Sequence, residues 1–143
     1  LAGGAVFFPT AGQTRLVAPA PNAASDRWSS PVFESTMGPV VELGGMLIGH
    51  HERRLTALDA VTGKQLWQRP EETDGQLLAL GDWLVFVNDR VGVLELLSAN
   101  REGRQVVGRT PVFKPIRMET PLTFAHGTLY IRTPRELIAL RTE

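Results

Sequence analysis

The amino-acid sequence predicts an all-β protein whose short antiparallel strands form the blades of a β-propeller, and three observations support this class. The apolar stretches are short and have almost no helical periodicity. Turn-forming residues recur about every eight to twelve positions, as in antiparallel all-β proteins. The pattern of strands and turns also repeats after about forty residues, which favours radial blades over a sandwich.

The 143 residues are interpreted as one partial propeller domain, 1–143, that contains four copies of the pattern. A partial blade occupies 1–30, blades follow at 36–70 and 75–111, and a second partial blade occupies 119–143, so we count roughly three and a half four-stranded blades. Two-residue hairpins with positive φ are expected where small or turn-forming pairs follow the first strand of a blade. These pairs are Gly44-Gly45, Gly81-Asp82 and His126-Gly127.

The first copy is recognised by its spacing. Leu16 precedes Trp28 by the same twelve positions that separate Leu55 from Trp67. Pro19 interrupts the region that should form a ladder strand or its turn, so the match is weaker there.

One copy carries the motif Ala57-Leu-Asp59-Ala-Val-Thr62-Gly63-Lys-Gln-Leu-Trp67. It resembles the tryptophan-docking motif of the PQQ-like (quinoprotein alcohol dehydrogenase-like) propellers, with all five signature residues at the family's spacing. The resemblance implies that Ala57 and Trp67 pack between adjacent blades, and that Asp59 and Thr62 close the turn before the outermost strand. Asp and Thr side chains bond readily to turn backbone, Gly63 accepts positive φ, and an indole fills a wide gap between sheets.

The following copies keep only part of the motif. Ser98 stands in the place of Asp59, and Val107 is interpreted as the replacement for the tryptophan. The last copy stops after Leu140 and lacks an outer strand. The chain is therefore expected to be the C-terminal part of a seven- or eight-bladed ring, cut from a longer chain and completed by a remaining propeller segment or a partner. Association of two copies is the alternative.

Composition excludes several classes of function. With 15 basic and 15 acidic residues the chain has no net charge to attract nucleic acid. No apolar run approaches the roughly 18 residues of a membrane span. There are no cysteines, which excludes disulfides, thiol catalysis and cysteine zinc sites in this segment.

No catalytic constellation is found, and no cofactor is expected in this segment. The enzymes of the family that the motif resembles hold PQQ with a calcium ion and a disulfide of adjacent cysteines. This chain contains no cysteine and cannot form that disulfide. His50 and His51 are expected in a solvated hairpin, because neighbours on a strand point to opposite faces. Trp83 is expected to pack between sheets. If the ring bound calcium, the acidic cluster in the connection between two blades would be the first candidate: Glu71, Glu72 and Asp74.

Arg132 and Arg135, on either side of Pro134, form a possible partner surface. The leading interpretation is a non-catalytic scaffold that binds a protein partner, similar to the outer-membrane assembly lipoprotein propeller. One alternative is part of a PQQ-dependent alcohol or sugar dehydrogenase, and another is a polysaccharide-binding or degrading propeller. The resemblance implies a bacterial protein in the periplasm or at the cell surface.

Overall fold

A computed structural model describes residues 4–10, 13–19, 24–33, 38–70, 75–118 and 120–141. These residues form fourteen strands in four antiparallel sheets, and no α-helix occurs among them. The predicted all-β class is confirmed, and the four antiparallel sheets match partial β-propeller blades. No helix capable of crossing a membrane is found in the described part of the chain.

Each sheet is formed by strands that follow one another along the chain. The first sheet contains β1 (Val6–Thr10), β2 (Gln13–Ala18) and β3 (Ser25–Ser30). The second contains β4 (Val41–Leu43), β5 (Met46–His51), β6 (Arg54–Asp59) and β7 (Gln65–Pro70). The third contains β8 (Gly75–Leu80), β9 (Trp83–Asn88), β10 (Val93–Asn100) and β11 (Gly103–Pro111). The fourth contains β12 (Thr123–Ala125), β13 (Thr128–Arg132) and β14 (Leu137–Arg141).

The sheets pack face to face in chain order, with one apolar cluster between each consecutive pair. The cluster between the first and second sheets includes Leu16, Trp28, Phe33, Leu47 and Leu58. The cluster between the second and third includes Ile48, Ala57, Trp67, Leu84, Phe86 and Leu97. The cluster between the third and fourth includes Val85, Val87, Met118, Leu129 and Ile131.

Burial along the strands follows from this stacking. The central strand β6 is buried at every position after Arg54, because its sheet has a neighbour on both faces. By contrast, β14 alternates between exposed and half-buried positions, and only Ile138 and Leu140 face the third sheet. A strand with one exposed face and a strand buried on both faces therefore occupy equivalent places in different sheets.

The three predicted two-residue hairpins are confirmed. Gly44 and Gly45 have φ of 57° and 76°, Gly81 has 59°, and His126 and Gly127 have 50° and 73°. Each pair connects the first and second strands of its sheet, with the flanking residues paired across the ladder.

A β-bulge recurs where the last two strands of each of the first three sheets pair, and it corrects the alignment of the copies. Immediately before the bulge, Leu16 pairs with Trp28, Ala57 with Trp67 and Leu96 with Gly108. Gly108, and not Val107, therefore stands in the place of Trp67, and Leu16 corresponds to Ala57 rather than to Leu55. The paired residues are twelve positions apart in the first and third sheets but ten in the second. Because hairpin length varies, counting along the sequence shifts the register.

Candidate functional site

The turn after β6 is held by the Asp59 carboxylate. Its Oδ1 accepts hydrogen bonds from the backbone N–H of Val61 (3.0 Å), the N–H of Thr62 (2.7 Å) and the Thr62 hydroxyl (2.9 Å). The N–H of Gly63 donates to the Asp59 carbonyl at 2.8 Å, and Gly63 has a φ of 70°. Four of the five motif residues thus act within one structure: Asp59 and Thr62 close the turn, Gly63 allows it, and Ala57, fully buried, precedes it.

The same carboxylate also links two sheets. Arg101, in the turn between β10 and β11, donates to Asp59 Oδ2 across the gap between the second and third sheets. The Asp59 side chain is 10% exposed. The hydrogen bond from Arg101, followed by those from the Thr62 and Val61 N–H groups and the Thr62 hydroxyl, lowers the pKa of Asp59 to about 2, against the opposing effect of burial. Asp59 is therefore ionised at neutral pH.

Two tryptophans each connect the outer strand of one sheet to the next sheet. The Trp28 Nε1–H donates to the Ala60 carbonyl at 3.1 Å, and the Trp67 Nε1–H donates to the Asn100 carbonyl at 2.8 Å. Each indole thus bonds to the end of the third strand of the next sheet. The Trp28 ring lies directly on Gly63, because a Cβ added there would be 2.5 Å from it.

The third sheet lacks this connection to the fourth. Gly108 has no side chain to extend, and Val107, in the bulge, is 47% exposed. The turn itself is retained, since Asn100 Oδ1 accepts from the N–H groups of Glu102 and Gly103 at 2.8 and 3.1 Å, as Asp59 does in the second sheet.

The two histidines lie on opposite faces of β5 and do not form a solvated hairpin. His50 is 5% exposed, with its ring 5.5 Å from that of Phe86, so the expectation of solvation was wrong for this residue. His51 Nδ1 accepts the N–H of Phe33 at 3.2 Å. The second sheet has a neighbour on each face, which covers both rings.

Trp83 also differs from expectation, since its side chain is 43% exposed. It begins β9 directly after the Gly81-Asp82 turn, at the rim of the sheet, where the neighbouring sheet covers only part of the indole.

Within the described ranges, no three His, Asp or Glu side chains are grouped so that they could hold a metal ion. The calcium candidates Glu71, Glu72 and Asp74 lie outside the described residues.

Arg132 and Arg135 lie at the end of the fourth sheet opposite the motif turns. Thr133 closes the turn between β13 and β14: its N–H donates to the Glu136 carbonyl at 2.9 Å, and its Oγ1 accepts the N–H groups of Arg135 (3.2 Å) and Glu136 (3.1 Å). Both arginine side chains are exposed, as is Leu137 at 67%. The turn therefore presents two guanidinium groups and an aliphatic side chain to solvent.

Sequence reasoning missed a second element at this end, the connection between the third and fourth sheets. Residues 112–118 are fastened to the β9–β10 turn, because Asp89 Oδ2 accepts the Met118 N–H (2.9 Å) and the Asp89 carbonyl accepts the Ile116 N–H (3.0 Å). The Gly92 carbonyl accepts the N–H of Val112 at 2.9 Å and that of Phe113 at 3.3 Å. The only local signal is the Asp89-Arg-Val-Gly92 turn sequence, which does not reveal the distant N–H groups that donate to it.

Comparison with known proteins supports the fold. No protein-family model matches the chain, and neither does any curated protein. Among 39 matching chains of solved structures is BamB from Moraxella catarrhalis, which is 17% identical with a TM-score of 0.74. The match covers 97% of this chain but 40% of the BamB chain. The chain therefore has a β-propeller fold and spans less than half the length of the propeller that it matches.

Proposed function

We propose that this chain is part of a non-catalytic PQQ-like β-propeller scaffold that binds a protein partner in the bacterial periplasm. The observation that carries the proposal is the fold match over 97% of the chain to BamB, an outer-membrane assembly protein. Partner binding, the periplasmic location and the PQQ-like family all come from that likeness and from the docking motif.

The contacts of the motif support a structural role for the polar groups of the turn. Asp59, Trp67 and Arg101 use their polar atoms to connect the second and third sheets. Groups engaged in this way stabilise neighbouring blades and are poorly placed to act on a substrate. A scaffold with rigid blades and exposed turns fits this distribution of polar groups.

The surface proposed to contact the partner includes Arg132 and Arg135. Thr133 holds their turn, so little conformational entropy is lost when a partner binds there. In the described part of the chain, the outward face of the fourth sheet carries Leu137 next to the turn and Ala139 further along the strand, both exposed. The remaining propeller segment is proposed to cover Ala139 and to leave Leu137 at the turn open to the partner.

The test compares two charge reversals in the tagged full-length protein, produced in the cells that normally make it. Arg135→Glu changes the proposed surface, whereas Lys64→Glu changes an exposed residue in the β6–β7 turn at the opposite end. We expect the wild type and Lys64→Glu to retain outer-membrane assembly proteins from solubilised envelopes, and Arg135→Glu to lose most of them. Equal retention by the two variants, or no retention by the wild type, would contradict the proposal.

A second measurement separates the scaffold from the dehydrogenase alternative. Purified full-length protein is titrated with PQQ in the presence of Ca²⁺, and tryptophan fluorescence is followed. The scaffold predicts no saturable change. Saturable binding accompanied by alcohol or sugar oxidation would replace the proposal with the enzyme.

A further inference from the structure

The connection between the third and fourth sheets is held by backbone hydrogen bonds at its start and by side-chain hydrogen bonds towards its end. At its start, the contacts of Asp89 and Gly92 fasten residues 112–118 to the β9–β10 turn. At its end, the Thr120 hydroxyl donates to the Arg132 carbonyl at 3.1 Å. Two turns from neighbouring sheets and the connection between them therefore form one continuous surface at this end of the molecule.

This surface, which we name the basic platform, carries five exposed cationic side chains: Arg90, Lys114, Arg117, Arg132 and Arg135. None of the five forms an ion pair with another residue in the described part of the chain. Two acidic residues are described in this region. Asp89 is 8% exposed and accepts the Met118 N–H, and Glu136 is exposed, whereas Glu119 lies outside the described residues. The positive charge of the platform therefore greatly exceeds the negative charge described there.

Two aliphatic side chains stand among these cations. Val91, beside Arg90, is 49% exposed, and Leu137, across the ladder from Arg132, is 67% exposed. A phosphate polymer carries no aliphatic groups beside its charges, and two separate aliphatic side chains in fixed turns offer little apolar area for insertion into a membrane. A peptide can place carboxylates and aliphatic side chains side by side, so the mixture favours a protein segment.

We infer that the basic platform binds an acidic segment of the partner protein, with carboxylates facing the five cations and aliphatic side chains covering Val91 and Leu137. The inference rests on the proposed function, and it adds Arg90, Lys114 and Arg117 to the contact surface together with the chemistry of what they contact. The fixed connection matters because pre-ordered donors lose less entropy on binding.

The experiment introduces a photo-crosslinking amino acid at Lys114 or, as a control, at Lys64 in the full-length protein. Adducts formed in cells are isolated, and the partner peptide is identified by mass spectrometry. We expect an adduct from position 114 but not from position 64, on a partner segment that contains several Asp or Glu residues next to aliphatic ones. A neutral or basic segment at position 114 would overturn the inference.

A binding measurement with the purified partner completes the test. Lys114→Glu with Arg117→Glu should weaken the complex about tenfold at low salt, and an acid-to-lysine change in the crosslinked segment should restore it. If Arg135→Glu weakened the complex and the double substitution did not, the extended platform would be wrong, whereas the proposed function would still hold. Binding of the wild type to phosphatidylglycerol vesicles, abolished by the double substitution, would instead identify a membrane surface.

Discussion

At the level of single residues, Asp59 has two structural roles, since one carboxylate closes a turn and also binds Arg101 in the next sheet. The sequence motif predicts the turn contacts because their partners lie within three positions. It does not predict Arg101, because that contact depends on how two sheets are placed side by side. Local chemistry could be inferred from the sequence, whereas the link between sheets required the structure.

Asp59 makes folding stability dependent on acidity. Its pKa falls from 3.8 to about 2 on folding, so the stabilisation is present above about pH 4 and is lost as the pH falls towards 2. We expect Asp59→Asn to lower the unfolding free energy by about 1 to 2 kcal/mol at pH 7. In urea titrations the gap between wild type and variant should close between pH 4 and pH 2. A gap that does not change with pH would contradict the assignment of the ion pair.

Gly63 permits both a positive φ and the contact with Trp28. Gly63→Ala should destabilise the fold by about 2 to 4 kcal/mol, because the added methyl group enters the indole ring and the backbone stays left-handed. Gly44→Ala is the matched control, since Gly44 has a φ of 57° but open space around it. It should cost about 1 kcal/mol. Equal losses in thermal unfolding would mean that the Trp28 contact contributes nothing.

At the scale of strands and turns, the tight hairpins followed directly from the sequence, whereas the register of the outer strands did not. Leu96 pairs with Gly108 because the residues paired beside the bulge are twelve positions apart in the β10–β11 hairpin but ten in the β6–β7 hairpin, and both hairpins contain the bulge. Hairpin length and bulge position are set by pairing across the sheet, so spacing alone misassigned Val107. The burial of His50 and the exposure of Trp83 were misjudged for a similar reason, since both depend on what the neighbouring sheet covers.

Trp67 fastens the second sheet to the third. Trp67→Ala should cost about 3 to 5 kcal/mol, because it removes a buried indole and its bond to Asn100. Trp83→Ala removes the same side chain from an exposed rim and should cost about 1 kcal/mol or less. Denaturant titrations of both variants measure the difference. Similar losses would show that Trp67 has no special role between the sheets.

At the scale of the whole molecule, the repeat in the sequence was sufficient to predict a propeller, because stacked sheets of one pattern need neighbours on their faces. The two ends of the molecule differ in a way that the repeat does not reveal. The motif turns at one end use Asp59 and Trp67 internally, whereas the basic platform at the other end presents its cations to solvent. This asymmetry supports the proposal that the first end stabilises the fold and the second binds the partner.

The most direct test of partner binding is the structure of the full-length protein with its partner, determined by cryo-electron microscopy. The account predicts partner density against Arg135 and the 112–118 connection, with acidic side chains facing the platform. Partner density on the Gly44-Gly45 and Asp59–Gly63 turns, with the platform facing solvent, would contradict it.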